Sequence, residues 1–159
     1  ISGSSRLQKK LKGIGLDMMA EETTFEQFEA AIRRPGSIKK PIGNVLMNQK
    51  YISGIGNYLR ADTLWMSRVS PFRPLGKVTR PELQRIYENA RKLIWGQYDK
   101  KRGQKLGIIR RGDKSPLDYG RTFFVYQYDM DVNGREVKKE KLYEGSQIRY
   151  IFYVPQVQK

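Results

Sequence analysis

Tyr51-Ile-Ser-Gly-Ile-Gly-Asn57-Tyr-Leu-Arg-Ala-Asp62 is the stretch on which the reading of this chain turns. Gly54 and Gly56 bracket a tight turn, and Asn57 opens an apolar helix. A helix start leaves its first backbone N–H groups without partners, and the helix dipole sets partial positive charge behind them. That combination suits a phosphate. A plain glycine turn between two core helices is the competing reading, and the composition of the rest of the chain bears on the choice.

The 159 residues suffice for one domain or two small ones. They carry 31 Lys+Arg against 16 Asp+Glu, a formal net charge of +15. So large a charge opposes compaction unless an anionic partner offsets it, and nucleic acid is the usual one. With 38% hydrophobic residues, ten tyrosines and two tryptophans, the chain still has the means to bury a core. An anionic membrane is the rival partner, but no apolar run approaches a membrane span and no signal-peptide pattern is visible. The expectation is therefore no membrane, and an intracellular protein wherever DNA is. Ile1 is not an initiator residue, so the sequence reads as part of a longer protein.

Two absences narrow the chemistry. The sequence has no Cys and no His, which removes thiolate and histidine-assisted nucleophiles, Cys/His zinc sites and disulfides together. Any catalysis must use carboxylates, Lys, Tyr or a chain terminus.

Helix signals dominate the first two thirds. Residues 4–12 form a short basic helix candidate. Thr24 and Gln27 make a capping box, followed by Phe25, Phe28 and Ile32 at helical spacing. The break Arg33-Arg34-Pro35-Gly36 ends that helix. A helix over 41–48 with Pro41 in its first turn comes next, then the glycine turn, then a helix over 57–67. Thr79-Arg80-Pro81-Glu82 is a second capping box, and Leu83, Ile86, Tyr87, Ala90, Leu93 and Ile94 hold one helical face beyond it. Residues 96–121 read as a basic loop. From Thr122 the pattern is extended: Phe123-Phe124-Val125-Tyr126, an Asn133-Gly134 hairpin signal, alternation to Tyr143, and 148–154. The fold class expected is α+β, a helical unit followed by a small antiparallel hairpin.

One motif there points elsewhere. Asp129-Met-Asp131-Val-Asn133-Gly134, with Glu140 six residues on, has the spacing of a calcium loop. The flanking segment reads as strand, Glu136 stands where an apolar residue is wanted, and Arg135, Lys138 and Lys139 sit inside the loop. A hairpin turn is the better reading, and the expectation is no metal and no cofactor.

Leu46-Met47-Asn48-Gln49-Lys50, the Gly-Ile-Gly-Asn57 turn, Ala61-Asp62 and Pro71 together resemble the helix–two-turn–helix domain of the formamidopyrimidine-DNA glycosylase / endonuclease VIII family. Arg149-Tyr-Ile-Phe-Tyr-Val154-Pro-Gln-Val157-Gln-Lys159 resembles that family's terminal β-hairpin finger, with Val154 and Val157 standing where the zinc-bound branch has cysteines. The likeness is thus to the zincless-finger branch. It covers residues 11–159 and implies three parts: a linker tail over 1–20, a helix–two-turn–helix DNA-binding domain with its basic loop over 21–118, and a zincless finger over 119–159. In place of a metal, Val154, Val157, Phe152 and Tyr153 are expected to supply packing, and the finger to share a core with the helices.

The resemblance also implies roles. Asn57 and the amides after Gly56 bind DNA phosphates, and Arg149 grips phosphate with a planar fork. Lys50 is a candidate backbone contact, with a solvated turn lysine as the alternative. Asp62 fixes the helix pair and does no chemistry. Arg110, Arg111 and Tyr119 are candidates in the loop that encloses an everted base, while Phe123, Phe124 and Tyr126 read as core. The family's chemistry uses an N-terminal proline amine attacking C1′, with a following glutamate as acid/base. This sequence starts at Ile1 and its first proline is Pro35. The implied role is the DNA-binding half of a monomeric bifunctional glycosylase/AP lyase acting on double-stranded DNA with an oxidised base or abasic site. A stand-alone helix-hairpin-helix type module for DNA or RNA is the alternative.

Overall fold

A computed structural model describes residues 15–159 of the chain; the basic helix expected at 4–12 lies outside them. Helix α1 (Phe25–Ile32) starts at the first capping box. The Thr24 hydroxyl accepts from the Gln27 N–H at 3.2 Å, and the Gln27 side chain accepts from the Thr24 N–H at 3.0 Å. Helix α2 (Ile42–Met47) begins after Pro41 and turns Ile42, Val45 and Leu46 inward. Helix α3 (Asn57–Ser67) follows the glycine turn and ends at Arg68, which takes the left-handed conformation common at helix C-termini.

Helix α4 (Arg80–Tyr98) has both halves of its capping box in place and Pro81 in its first turn. Arg73 donates to the capping Glu82 at 2.5 Å, and that contact holds the Glu82 carboxyl down at about 2. The inward faces of α1, α3 and α4 meet in one core. Phe25, Phe28 and Tyr87 cluster there with ring centroids 5.4–6.4 Å apart. Burying side chains such as Phe28, Leu64 or Leu83 contributes about 1.5–3 kcal/mol each. Strand β1 (Leu16–Asp17) pairs in parallel with β2 (Ile52–Ser53), which ties the start of the described chain to the turn between α2 and α3.

Residues 96–121 depart from the expected loop. Helix α4 runs on to Tyr98, and a further helix, α5 (Lys100–Lys105), follows, with the Asp99 carboxylate accepting from the Arg102 N–H at 3.0 Å. A helix without an apolar stripe gives no periodicity to read. A single 3₁₀ turn (Pro116–Tyr119) then precedes the hairpin.

The hairpin consists of β3 (Lys138–Glu144) and β4 (Gln147–Tyr153), antiparallel and in register from Lys138↔Tyr153 to Glu144↔Gln147. It reverses at Gly145-Ser146, with Gly145 at φ 61°, and not at Asn133-Gly134. The Asn-Gly turn closes a smaller loop bridged only by Met130↔Glu136. Nor is 123–126 a strand. Its amides are taken by the buried Asp62 carboxylate, which accepts from Phe124, Val125 and Tyr126 at 2.7, 3.0 and 3.2 Å.

The finger shares the helical core. Leu142, Ile151 and Val154 join the buried cluster of the helices, with Phe152 and Val157 packed against it. Tyr153 meets Phe72 edge-on at 5.4 Å, and Trp65 stacks on Phe124 at 4.8 Å. The Gln158 side chain stitches the end of β4 to α3's exit, accepting from the Val154 N–H at 2.7 Å and donating to the Val69 carbonyl at 3.0 Å.

Candidate nucleic-acid interface

The glycine turn and the hairpin tip meet. Gly54 holds φ 103°, which only glycine adopts without strain, and so bends the chain into α3. Gly56 is the N-cap, extended at φ −96°, and has no side chain to cap the helix. Among the described residues the N–H groups of Asn57, Tyr58 and Leu59 donate to no protein acceptor. A Cβ built on Gly56 would touch nothing within 4 Å. The fold therefore leaves the space in front of these amides open.

Asn57 reaches across to the finger, donating from Nδ2 to the Tyr150 carbonyl at 3.1 Å. Its Oδ1 accepts from Arg60. Arg60 is fully buried, and burial draws its guanidinium below the ordinary value while Glu144 pushes it back up. It donates to the Gly43 carbonyl at 2.9 Å and pairs with Glu144 at 3.2 Å. Glu144 in turn holds the Arg149 Nε at 3.5 Å. Turn, helix, hairpin apex and finger arginine are thus linked as Asn57–Arg60–Glu144–Arg149. A pair this buried stabilises only as long as both charges are present.

Asn57 and Arg149 line one open cleft of ≈ 270 Å³, together with Lys139 and Tyr150. Arg149 also lines a second groove of ≈ 720 Å³, with Lys40, Asn48 and Lys141. Lys50 is exposed beside that groove, and its backbone N–H donates to the Asn48 side chain at 3.0 Å. Arg110, Arg111 and Tyr119 are not brought to this cleft. Arg110 lines a recess against α4 with Arg91 and Lys92, Arg111 is exposed, and the Tyr119 ring lies against Phe124 at 6.2 Å.

Sequence reading missed Arg60 and Glu144. A charged residue between Leu59 and Ala61 on an apolar helix was the available signal for Arg60; nothing local flags its partner 84 residues away.

The calcium-loop residues are engaged otherwise. Asp131 accepts from Asn133 and Arg135 N–H groups at 2.9 and 2.8 Å and from the Trp65 indole at 3.1 Å, while Glu140 accepts from the Tyr153 hydroxyl at 2.8 Å. Among the described residues no group of three acidic, His or Cys side chains is placed to hold a metal. Val154, fully buried, and Val157 are apolar at the places where the zinc-bound branch has ligands, so these residues do not fit a metal centre.

Comparison with known proteins bears on the family and the fold. A formamidopyrimidine-DNA glycosylase from Lactiplantibacillus plantarum is 34% identical over 88 residues, covering 55% of this chain and 31% of that protein. A crystal structure of a viral DNA glycosylase matches 99% of this chain and 52% of that one at a TM-score of 0.70 and 18% identity. The Lactococcus lactis Fpg in complex with DNA containing an abasic site matches 98% of this chain and 56% of that one at 0.69 and 18% identity. The chain thus spans about a third of the curated relative and about half of the solved structures, whose likeness includes the strand pair β3–β4 and speaks for the fold. Residues 14–102, more than half of the chain, match the family model described as the formamidopyrimidine-DNA glycosylase H2TH domain, and the chain belongs to that family.

Proposed function

We propose that the chain is the DNA-binding half of a bifunctional DNA glycosylase/AP lyase that removes oxidised bases in base excision repair. Residues 21–118 grip the duplex through the α3 N-terminus, and residues 119–159 close on the same strand as a zincless finger. Asn57 and the amides after Gly56 take one phosphate, and Arg149 takes another. Lys50 adds a backbone contact from the rim. Arg110, Arg111 and Tyr119 belong to the loop beside the everted base. The protein works as a monomer on intracellular double-stranded DNA carrying an oxidised base or an abasic site, without a cofactor. Base removal and strand nicking are assigned to parts of such an enzyme that this chain, which spans about a third of the curated relative and half of the solved structures, does not cover.

The observation that supports this reading is the Asn57–Tyr150 hydrogen bond, which joins the start of α3 to the finger where Asn57 and Arg149 line one cleft. Binding to a duplex with a stable abasic analogue, followed by anisotropy across a salt series, tests it. The expected log–log slope is about −0.9 per phosphate contacted; a slope near zero overturns the proposal. Borohydride trapping with this chain alone on abasic DNA should give no covalent adduct, and a trapped band would put the chemistry inside these residues after all.

A further inference from the structure

Strand alternation divides the hairpin into two unlike faces. Leu142, Ile151 and Tyr153 point into the core, while Lys139, Lys141, Tyr143, Ile148, Tyr150 and Phe152 share the opposite face. Among the described residues that second face is covered at its base, where Tyr126 meets Phe152 edge-on at 5.3 Å. Toward the tip it is open: Tyr143, Ile148 and Tyr150 are 64%, 52% and 44% exposed. Exposed aromatic surface on a two-stranded hairpin gains nothing for folding and marks an interaction site. The face carries no acid, and the Lys139 ammonium sits 4.5 Å from the Tyr150 ring centroid.

We infer that this face, centred on Tyr150 and Lys139, is a stacking platform for the unpaired bases of single-stranded DNA. The inference rests on the DNA-binding reading above and names a second mode of substrate at the same cleft. Tyr150 and Lys139 line the cleft that holds Asn57 and Arg149, so a strand whose phosphates lie there brings its bases over the ring. A duplex keeps its bases stacked on one another and offers the ring only edges. An unpaired base offers a π-face, which a tyrosine on a sheet can take up while the neighbouring lysine tracks the backbone.

Anisotropy with a short oligothymidylate and with a duplex of equal length tests the inference, alongside the quenching of 2-aminopurine placed within the single strand. Tyr150→Ala should weaken oligothymidylate binding about 5- to 150-fold, at least fivefold more than it weakens duplex binding, and should abolish the quenching. Tyr150→Phe, which keeps the ring, should retain both. Lys139→Glu leaves every ring in place and should lower oligothymidylate affinity with the hairpin intact by circular dichroism. Equal losses on both DNAs, no loss on either, or Phe as damaging as Ala would overturn the platform. So would a dimer in sedimentation that Tyr150→Ala dissolves, since a second copy would then own the face. Loss of the platform effects with the duplex salt slope still responding to Arg149→Ala defeats the platform alone. A duplex slope indifferent to Arg149→Ala while oligothymidylate binding responds to Tyr150→Ala defeats the phosphate reading and leaves the platform standing.

Discussion

Two glycine-bearing turns, 54–57 and 131–134, are both bordered by an Asn and both flank buried structure, yet they are held in opposite ways. The later turn is closed from within. The Asp131 carboxylate collects the N–H groups of Asn133 and Arg135 and the Trp65 indole, and its backbone carbonyl takes the Gly134 N–H, so the turn's donors are engaged from within. The earlier turn has no such acceptor. It is braced from outside, by Arg60 and Glu144 beneath it and by the Tyr150 carbonyl across from Asn57. The amides of residues 57–59 stay unengaged. A turn becomes a binding site when its shape is maintained by something other than its own hydrogen-bond donors. The calcium-like spacing around Asp131 is the reverse case, in which donors and acceptor satisfy each other and leave nothing for a ligand.

The contrast can be broken first at the brace. Glu144→Ala strands the buried Arg60 guanidinium, and the expected loss in unfolding free energy is about 3–5 kcal/mol by urea titration. A loss under about 1 kcal/mol would mean that the turn is not held from outside. Asp131→Ala leaves the Trp65 indole and two amides without an acceptor, for an expected loss of about 2–3 kcal/mol, with the salt slope of DNA binding unchanged. Should that slope fall, the second turn is part of the interface and the distinction fails.

The two glycines of the first turn sharpen the point. Gly54→Ala is strained at φ 103° and should cost about 1–2 kcal/mol. Gly56→Ala meets nothing and should leave stability within about 0.5 kcal/mol, while duplex affinity falls because a methyl now stands before the open amides. Normal DNA binding by Gly56→Ala would show that no phosphate approaches there. Arg149→Ala is the mildest change, lowering the salt slope by about 0.9 for one phosphate lost with little effect on folding.

What the sequence disclosed follows how local each cause is. Both capping boxes were legible because their donors and acceptors lie three residues apart, and the start of α3 because the glycine pair stands directly before it. The hairpin as an element was legible from alternation, but its reversal was assigned to Asn133-Gly134 when Gly145-Ser146 performs it. Both pairs carry turn chemistry, and only the register with β4 separates them. The segment 123–126 looked like strand, since its aromatic and branched residues are those of strands; its amides are claimed by Asp62, 62 to 64 residues away. Asn57 and Arg149, singled out from motifs, line one cleft, and Gly56 is the N-cap residue just before Asn57. The Arg60–Glu144 brace between them was not found, because an ion pair across 84 residues leaves no pattern in either neighbourhood.

Trp65 gives the protein an optical reporter of its own architecture. Its indole is sandwiched against Phe124 and anchored to Asp131, so it belongs to α3 by chain and to the finger region by contact. Emission from that dry, hydrogen-bonded ring should move to the red when residues 119–159 lift away from the helices and water enters. The separation of the two parts can therefore be followed by ultraviolet light alone, in real time, with no dye attached and no surface altered.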